Sequence, residues 1–269
     1  MAITSVDGLI AGCQPMHYIA KNNATVTQVR LFSPFYLAGI PCAAAAPTPG
    51  MVGAELTSYA GQIPFINPPA GQNTYVARFT IANSNVAGSF TLIDRLWHNS
   101  GIVVTQFNNP QAVNSVPFPA RDQNGSINGE GILIGVEVSS VTGSGSPSMT
   151  ISYTNSDGTP GRTGSTGTTA TTAGAGSFWP FSLQAGDKGV KSIQSVDLSA
   201  TWTSGTVHLV AYRTVLTVST ISGGGTAYAD ALTGGMPRLF NNSVPSFLLF
   251  PASSASGTGF YGGLTYTQG

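Results

Sequence analysis

Charge is scarce in this chain: of 269 residues only 7% are Asp, Glu, Lys or Arg, split ten acidic to ten basic, while 41% are apolar. Soluble domains carry roughly 25% charged residues, so Ser, Thr, Asn, Gln and Gly must cover the surface. That excludes a basic stripe for nucleic-acid phosphates, and the weak self-repulsion of a neutral chain favours permanent assemblies over a dilute monomer.

Cys13 and Cys42 have neither CxxC spacing nor a histidine at zinc-finger distance. They read as small buried apolar residues in a reduced compartment, a disulfide between them being the alternative, with no metal or other cofactor implied. No apolar run reaches membrane-spanning length and the N-terminus lacks a basic region followed by a long apolar one, so cytoplasmic synthesis and no membrane partner are expected.

In chain order, residues 1–71 are broken by Pro15, Pro34, Pro41, Pro47, Pro49, Pro64, Pro68 and Pro69. Long helices are excluded there. A short strand fits Gln28–Phe35, and Thr48-Pro49 forms an N-cap and N1 pair for a two-turn helix through about Tyr59. Leu31, Phe32, Phe35, Tyr36, Phe65 and Ile66 make the segment too apolar for disorder and too interrupted for a core of its own, so it reads as an arm lying on other protein surface.

Residues 72–221 read as a β-sandwich or jelly-roll-like core. Tyr75, Ala77, Phe79 and Ile81 alternate along one strand, and Phe90 and Leu92 along the next, which predicts a hairpin around Asn83-Ser84-Asn85. Ile132, Ile134, Val136 and Val138 share the apolar face of the clearest strand, followed by Met149, Ile151 and Tyr153. These form a second predicted hairpin, whose exposed apolar face demands a facing sheet. The Gly, Ser, Thr and Ala tract Thr163–Ser177 lacks large side chains and reads as a mobile loop. Ile193–Trp202 and Val207–Val215 give a third hairpin. Residues 222–269 form an extension in which Phe247–Phe250 and Leu264–Tyr266 are expected to pair. The predicted class is therefore all-β and antiparallel, with turn signals about every dozen residues.

Chemistry is thin by comparison. Asp122 with Glu130 is the one arrangement resembling paired hydrolytic carboxylates, but two acids beside Arg121 more often anchor a loop. His17, His98 and His208 are isolated in sequence, so no catalytic residues are assigned.

The stretch Asp94-Arg95-Leu96-Trp97-His98-Asn99-Ser100-Gly101-Ile102 resembles a family of tailed-bacteriophage virion structural proteins of undefined role. So do Pro119-Ala120-Arg121-Asp122 through Asn128-Gly129-Glu130-Gly131, Ser152-Tyr153-Thr154-Asn155, and Gly235-Met236-Pro237-Arg238-Leu239-Phe240 to Gln268-Gly269. The resemblance covers most of the chain, brings no catalytic residues, and implies a component of the phage particle.

Composition and resemblance together give the expectation of a non-enzymatic capsid decoration or cement protein on the outside of the head. Its partners are the major capsid protein and further copies of itself, a trimer being favoured, with no nucleic acid. Leu31, Phe32, Phe35, Tyr36, Phe65, Ile66, Phe247 and Phe250 are the candidate interface residues. The alternatives are a tail-fibre head that binds receptor or glycan, with Trp97, Trp179 and Trp202 as stacking platforms, and a collar, neck or tail component.

Overall fold

The computed structural model describes residues 3–269. A short helix, α1 (Val6–Gly12), leads into β1 (His17–Val26), β2 (Leu31–Phe32), a 3-10 turn (Pro34–Tyr36), β3 (Gly39–Ile40) and β4 (Ala54–Glu55). Next come β5 (Thr74–Asn83), β6 (Gly88–His98), β7 (Gln111–Ala112), β8 (Ile132–Ser140), β9 (Ser148–Asn155), β10 (Arg162–Thr168) and β11 (Ser177–Pro180). The chain ends with β12 (Val190–Leu198), β13 (Thr206–Thr220), β14 (Thr226–Asp230), β15 (Arg238–Leu239), β16 (Pro245–Pro251) and β17 (Ala255–Gln268). The fold is all-β, and the strands pair antiparallel among the described residues.

Its division differs from the arm, sandwich and extension read from sequence. Residues 3–45, 57–94 and 215–269 form one compact unit, and residues 46–56 and 95–214 form the other. The proline-rich segment is therefore no detachable arm. In the first unit β1 pairs with β17 and β3, and β5 pairs with β17, β14 and β15. A second layer joins β16 to β2 and β6. Ile19, Val26, Phe32, Phe79, Ile81, Phe90, Leu249, Phe260 and Leu264 fill the core of this unit.

In the second unit β8 lies between β13 and β11, while β9 lies between β10 and β12, with β7 beyond β12. The inward faces carry Ile132, Ile134, Val136 and Val138 on β8 and Met149, Ile151 and Tyr153 on β9, all fully buried in one cluster. The facing sheet demanded by the β8 pattern thus includes β9 itself.

This corrects the predicted hairpins. β8 and β9, β5 and β6, β12 and β13, and β16 and β17 are each consecutive in sequence yet pair with other strands. Facing sheets stand about 10 Å apart, a gap that a short connection such as Val141–Pro147 spans without difficulty. At the bend after β5, Asn83 fixes the geometry. Its Oδ1 accepts from the amides of Asn85 (3.0 Å) and Val86 (2.8 Å), and its Nδ2 donates to the Val86 carbonyl at 2.8 Å. The hairpin that does form joins β9 to β10 across Asn155–Thr159.

Other local readings change for steric reasons. The helix expected after Thr48-Pro49 is absent: Gly50 and Gly53 take φ of +84° and +71°, and a Cβ at Gly53 would sit 2.3 Å from the Trp97 indole. The chain there lies flat on Trp97 and pairs as β4. Thr163–Thr168 of the presumed mobile loop lie in β10, and Ala173 is fully buried in the core. Small residues in this tract permit close packing. Cys13 and Cys42 are exposed and unpaired, not buried.

Two outcomes are expected. Ile134→Asp puts an unpaired carboxylate into a fully buried apolar layer, so it should cost several kcal/mol and abolish soluble expression or lower the urea midpoint sharply, whereas an unchanged midpoint would contradict the burial. Deleting residues 1–71 removes β1 and the Phe32 and Ile63 packing, so the remainder should lose the cooperative unfolding of the first unit, measured by near-UV circular dichroism.

Candidate functional site

The polar clusters are where chemistry could reside, and the deepest lies in the second unit. Arg95 from β6 meets Glu137 from β8 in a two-pronged pair, Nη1 to Oε1 at 2.9 Å and Nη2 to Oε2, with both side chains fully buried. Burying two ions is costly, and only such matched geometry repays it. Arg121 extends the network by donating to the carbonyls of Leu56 (2.7 Å) and Arg95 (2.9 Å).

His208 sits beside this pair. Its Nδ1 lies 2.9 Å from the Asn99 carbonyl, an acceptor, so Nδ1 carries the hydrogen and Nε2 accepts from the Ser139 hydroxyl at 2.6 Å. The order hydroxyl, imidazole, acceptor is that of a nucleophile and its base, with a main-chain carbonyl in place of a carboxylate. Asn99 in turn receives the Leu209 amide on its Oδ1 at 2.8 Å. The arrangement locks one neutral tautomer between two strands. His98 lies in the same neighbourhood: burial, then the Arg95 guanidinium, lowers it from 6.5 to about 3. Burial likewise lowers His208.

The carboxylates weighed in the sequence are loop anchors. Asp122 accepts from the amides of Asn124, Ser126, Gly129 and Glu130 and from the Ser126 hydroxyl. Glu130 turns outward to the Asn124 amide at 2.8 Å. A cluster without any local sequence motif surrounds Asp187, which accepts from Tyr153 (2.5 Å), Asn155 (2.8 Å) and both Nε (3.0 Å) and Nη2 (2.8 Å) of Arg162. The Arg162 hydrogen bond foremost holds its carboxyl well below the usual range. It ties the β9–β10 hairpin to the 184–189 turn. Among the described residues no group of three or more His, Cys, Asp or Glu is placed to hold a metal ion.

The candidate interface residues divide. Phe32, Phe35 and Phe247 are 5%, 2% and 3% exposed and belong to the interior of the first unit. Leu31, Tyr36 and Phe65 are half-buried, Phe65 edge-on to Tyr266 at 5.5 Å. Ile66 and Phe250 remain at the surface. Trp97, Trp179 and Trp202 are buried, so none is a stacking platform.

The sequence reading missed another apolar surface. Helix α1 buries none of its residues and leaves Val6 and Ile10 in solvent; Leu232, 90% exposed, stands nearby. Val6, Leu9, Ala231, Leu232 and Met236 line a groove of about 340 Å³ there. Ser5, whose hydroxyl accepts from the Gly8 amide at 3.0 Å, and Asp7 in the first turn were the available signals for the helix.

No family model matches the chain, and no curated protein does. Among solved structures the chain aligns with the infectious bursal disease virus VP2 subviral particle at 10% identity, covering 94% of this chain and 81% of that one with a TM-score of 0.17. It aligns with the Gx strain of the same virus at 12% identity, covering 94% and 79%, with a TM-score of 0.16. Likenesses at this level carry no argument.

The histidines set the expected pH dependence. Imidazoles whose pKa is depressed in the fold stay neutral while the unfolded chain takes up protons below about 6.5, so their contribution is complete above that pH and is lost as pH falls toward 3. Between pH 7 and 4.5, above most carboxylate titration, about 2–3 kcal/mol should be lost on account of His98, and a urea midpoint constant over that range would contradict its burial as a neutral group.

Proposed function

We propose that the chain is a non-enzymatic bacteriophage virion structural protein that decorates the capsid, binding the major capsid protein and further copies of itself at the outer surface of the head. The observation that carries this reading is the apolar surface at α1: Val6, Ile10 and Leu232 are 68%, 63% and 90% exposed around a shallow groove. Apolar groups grouped at a surface mark contact sites, and a chain with no net charge has little to keep copies apart. The resemblance of Asp94–Ile102 and the C-terminal stretch to tailed-phage virion proteins supports the particle as its place.

The anchor in this reading is α1 and the Leu232 loop, not the whole proline-rich segment, because most candidate residues of that segment are committed to the first unit's core. The helix is joined to β17 by the hydrogen bond from Thr267 Oγ1 to the Leu9 carbonyl at 2.9 Å.

Deletion of residues 1–12, and separately Ile10→Lys with Leu232→Lys, should leave the melting temperature within a few degrees of the full chain. Both should abolish binding to particles that lack the protein, measured by co-sedimentation. Binding equal to that of the full chain in both variants would overturn this anchor.

A further inference from the structure

We infer that the outer face of the β1–β17 pair is a binding site for a neutral saccharide, an assignment that does not rest on the decoration role. Tyr261 of β17 stands opposite Ala20 of β1, and Tyr18 of β1 opposite Gly263. Their chain neighbours Phe260 and Ile19 point into the core, so strand alternation turns both tyrosines outward, where they are 51% and 66% exposed. A bulge in β1 between Lys21 and Ala24 breaks the alternation and leaves both Asn22 and Asn23 in solvent.

Beside Tyr261 and the two asparagines lies a groove of about 450 Å³ lined by Ala20, Lys21, Asn22, Asn23 and Tyr261. That is within the usual range for small-ligand sites. Its floor is shaped by Gly259: a Cβ there would lie 2.5 Å from the Tyr261 hydroxyl and 2.9 Å from Asn23 Oδ1. The phenol and the amide therefore converge over Gly259, where no side chain stands between them. Among the described residues neither asparagine amide nor the Tyr261 hydroxyl is engaged by a partner within the chain as donor.

Charge decides the class of ligand. The one cation lining the groove is Lys21, 4% exposed, whose Nζ donates to the carbonyls of Leu37 (3.1 Å), Pro41 (2.7 Å) and Cys42 (3.1 Å). An ammonium has three protons, and all are taken. No free charge is left for a phosphate, a carboxylate or a nucleic-acid backbone. What remains is a tyrosine ring face, a phenol and two amides, able to stack on the apolar face of a sugar ring and to exchange hydrogen bonds with its hydroxyls.

The test uses the full chain and five neutral hexasaccharides: maltohexaose, cellohexaose, laminarihexaose, chitohexaose and mannohexaose. Saturation-transfer NMR should detect at least one, and calorimetry should give a micromolar to millimolar Kd. Tyr261→Ala and Asn23→Ala should each weaken it at least ten-fold, while Tyr228→Ala, exposed on the same sheet but outside the groove, should leave it unchanged. All three side chains are at the surface, so thermal melts should coincide with that of the parent. The proposal is overturned if none of the five binds up to the millimolar range, or if binding survives Tyr261→Ala. It is equally overturned if Tyr261→Ala alters the mass in solution with no saccharide bound, since the face would then be a contact between copies.

Discussion

The apolar face of β8 sets the terms for the second unit. Ile132, Ile134, Val136 and Val138 on one side of a strand cannot be covered by the strands beside it, because neighbours in a sheet extend the same face. A facing layer is obligatory, and the chain supplies it at the first opportunity by crossing over at Val141–Pro147 to place Met149, Ile151 and Tyr153 opposite. The same solution recurs from β12 to β13, and in the first unit from β5 to β6 and from β16 to β17. Pairing partners then come from far away in sequence: β17 lies between β1 and β5, and β16 beside β2. Such topology joins strands far apart in sequence and implies slow folding.

Several of the polar groups buried by this arrangement are matched to one another. The Arg95–Glu137 pair, the neutral His208 and Asn99 form such a set in the second unit. In the first unit Asp94 does similar work, accepting from the Ser243 hydroxyl at 2.9 Å and the Val244 amide at 2.8 Å. Removing any single member would leave a buried donor or acceptor alone, which costs more than the bond itself is worth.

Class, the positions of the strands with regular alternation and their core faces were legible in the sequence because period-2 alternation records which side chains are inside. Val136, Leu198, Leu209 and Trp202 are buried as their phase requires. Alternation is silent about which strand lies beside which, since a hairpin and a crossover between sheets leave the same pattern, and the connections Asn83–Val86 and Val141–Pro147 carry turn residues either way. The Thr163–Ser177 tract misled for a different reason: the rule that small residues mean a loop fails where β10 packs closely on β9. Prolines hid β1, whose Asn22-Asn23 bulge and inward Lys21 disguise its alternation. Of the candidate contact residues, Ile66 and Phe250 are where a partner could reach them, while the α1 surface lacked any periodic signature because the helix faces no core.

The central functional claim concerns where the chain stands and which surface holds it. An electron cryo-microscopy reconstruction of the virion, with this chain fitted into the density, tests it most directly. The account predicts copies on the outer surface of the head, with Val6, Ile10 and Leu232 against the capsid or a neighbouring copy. Density for the chain in the tail or collar alone, or on the head with that surface turned to solvent, would contradict it.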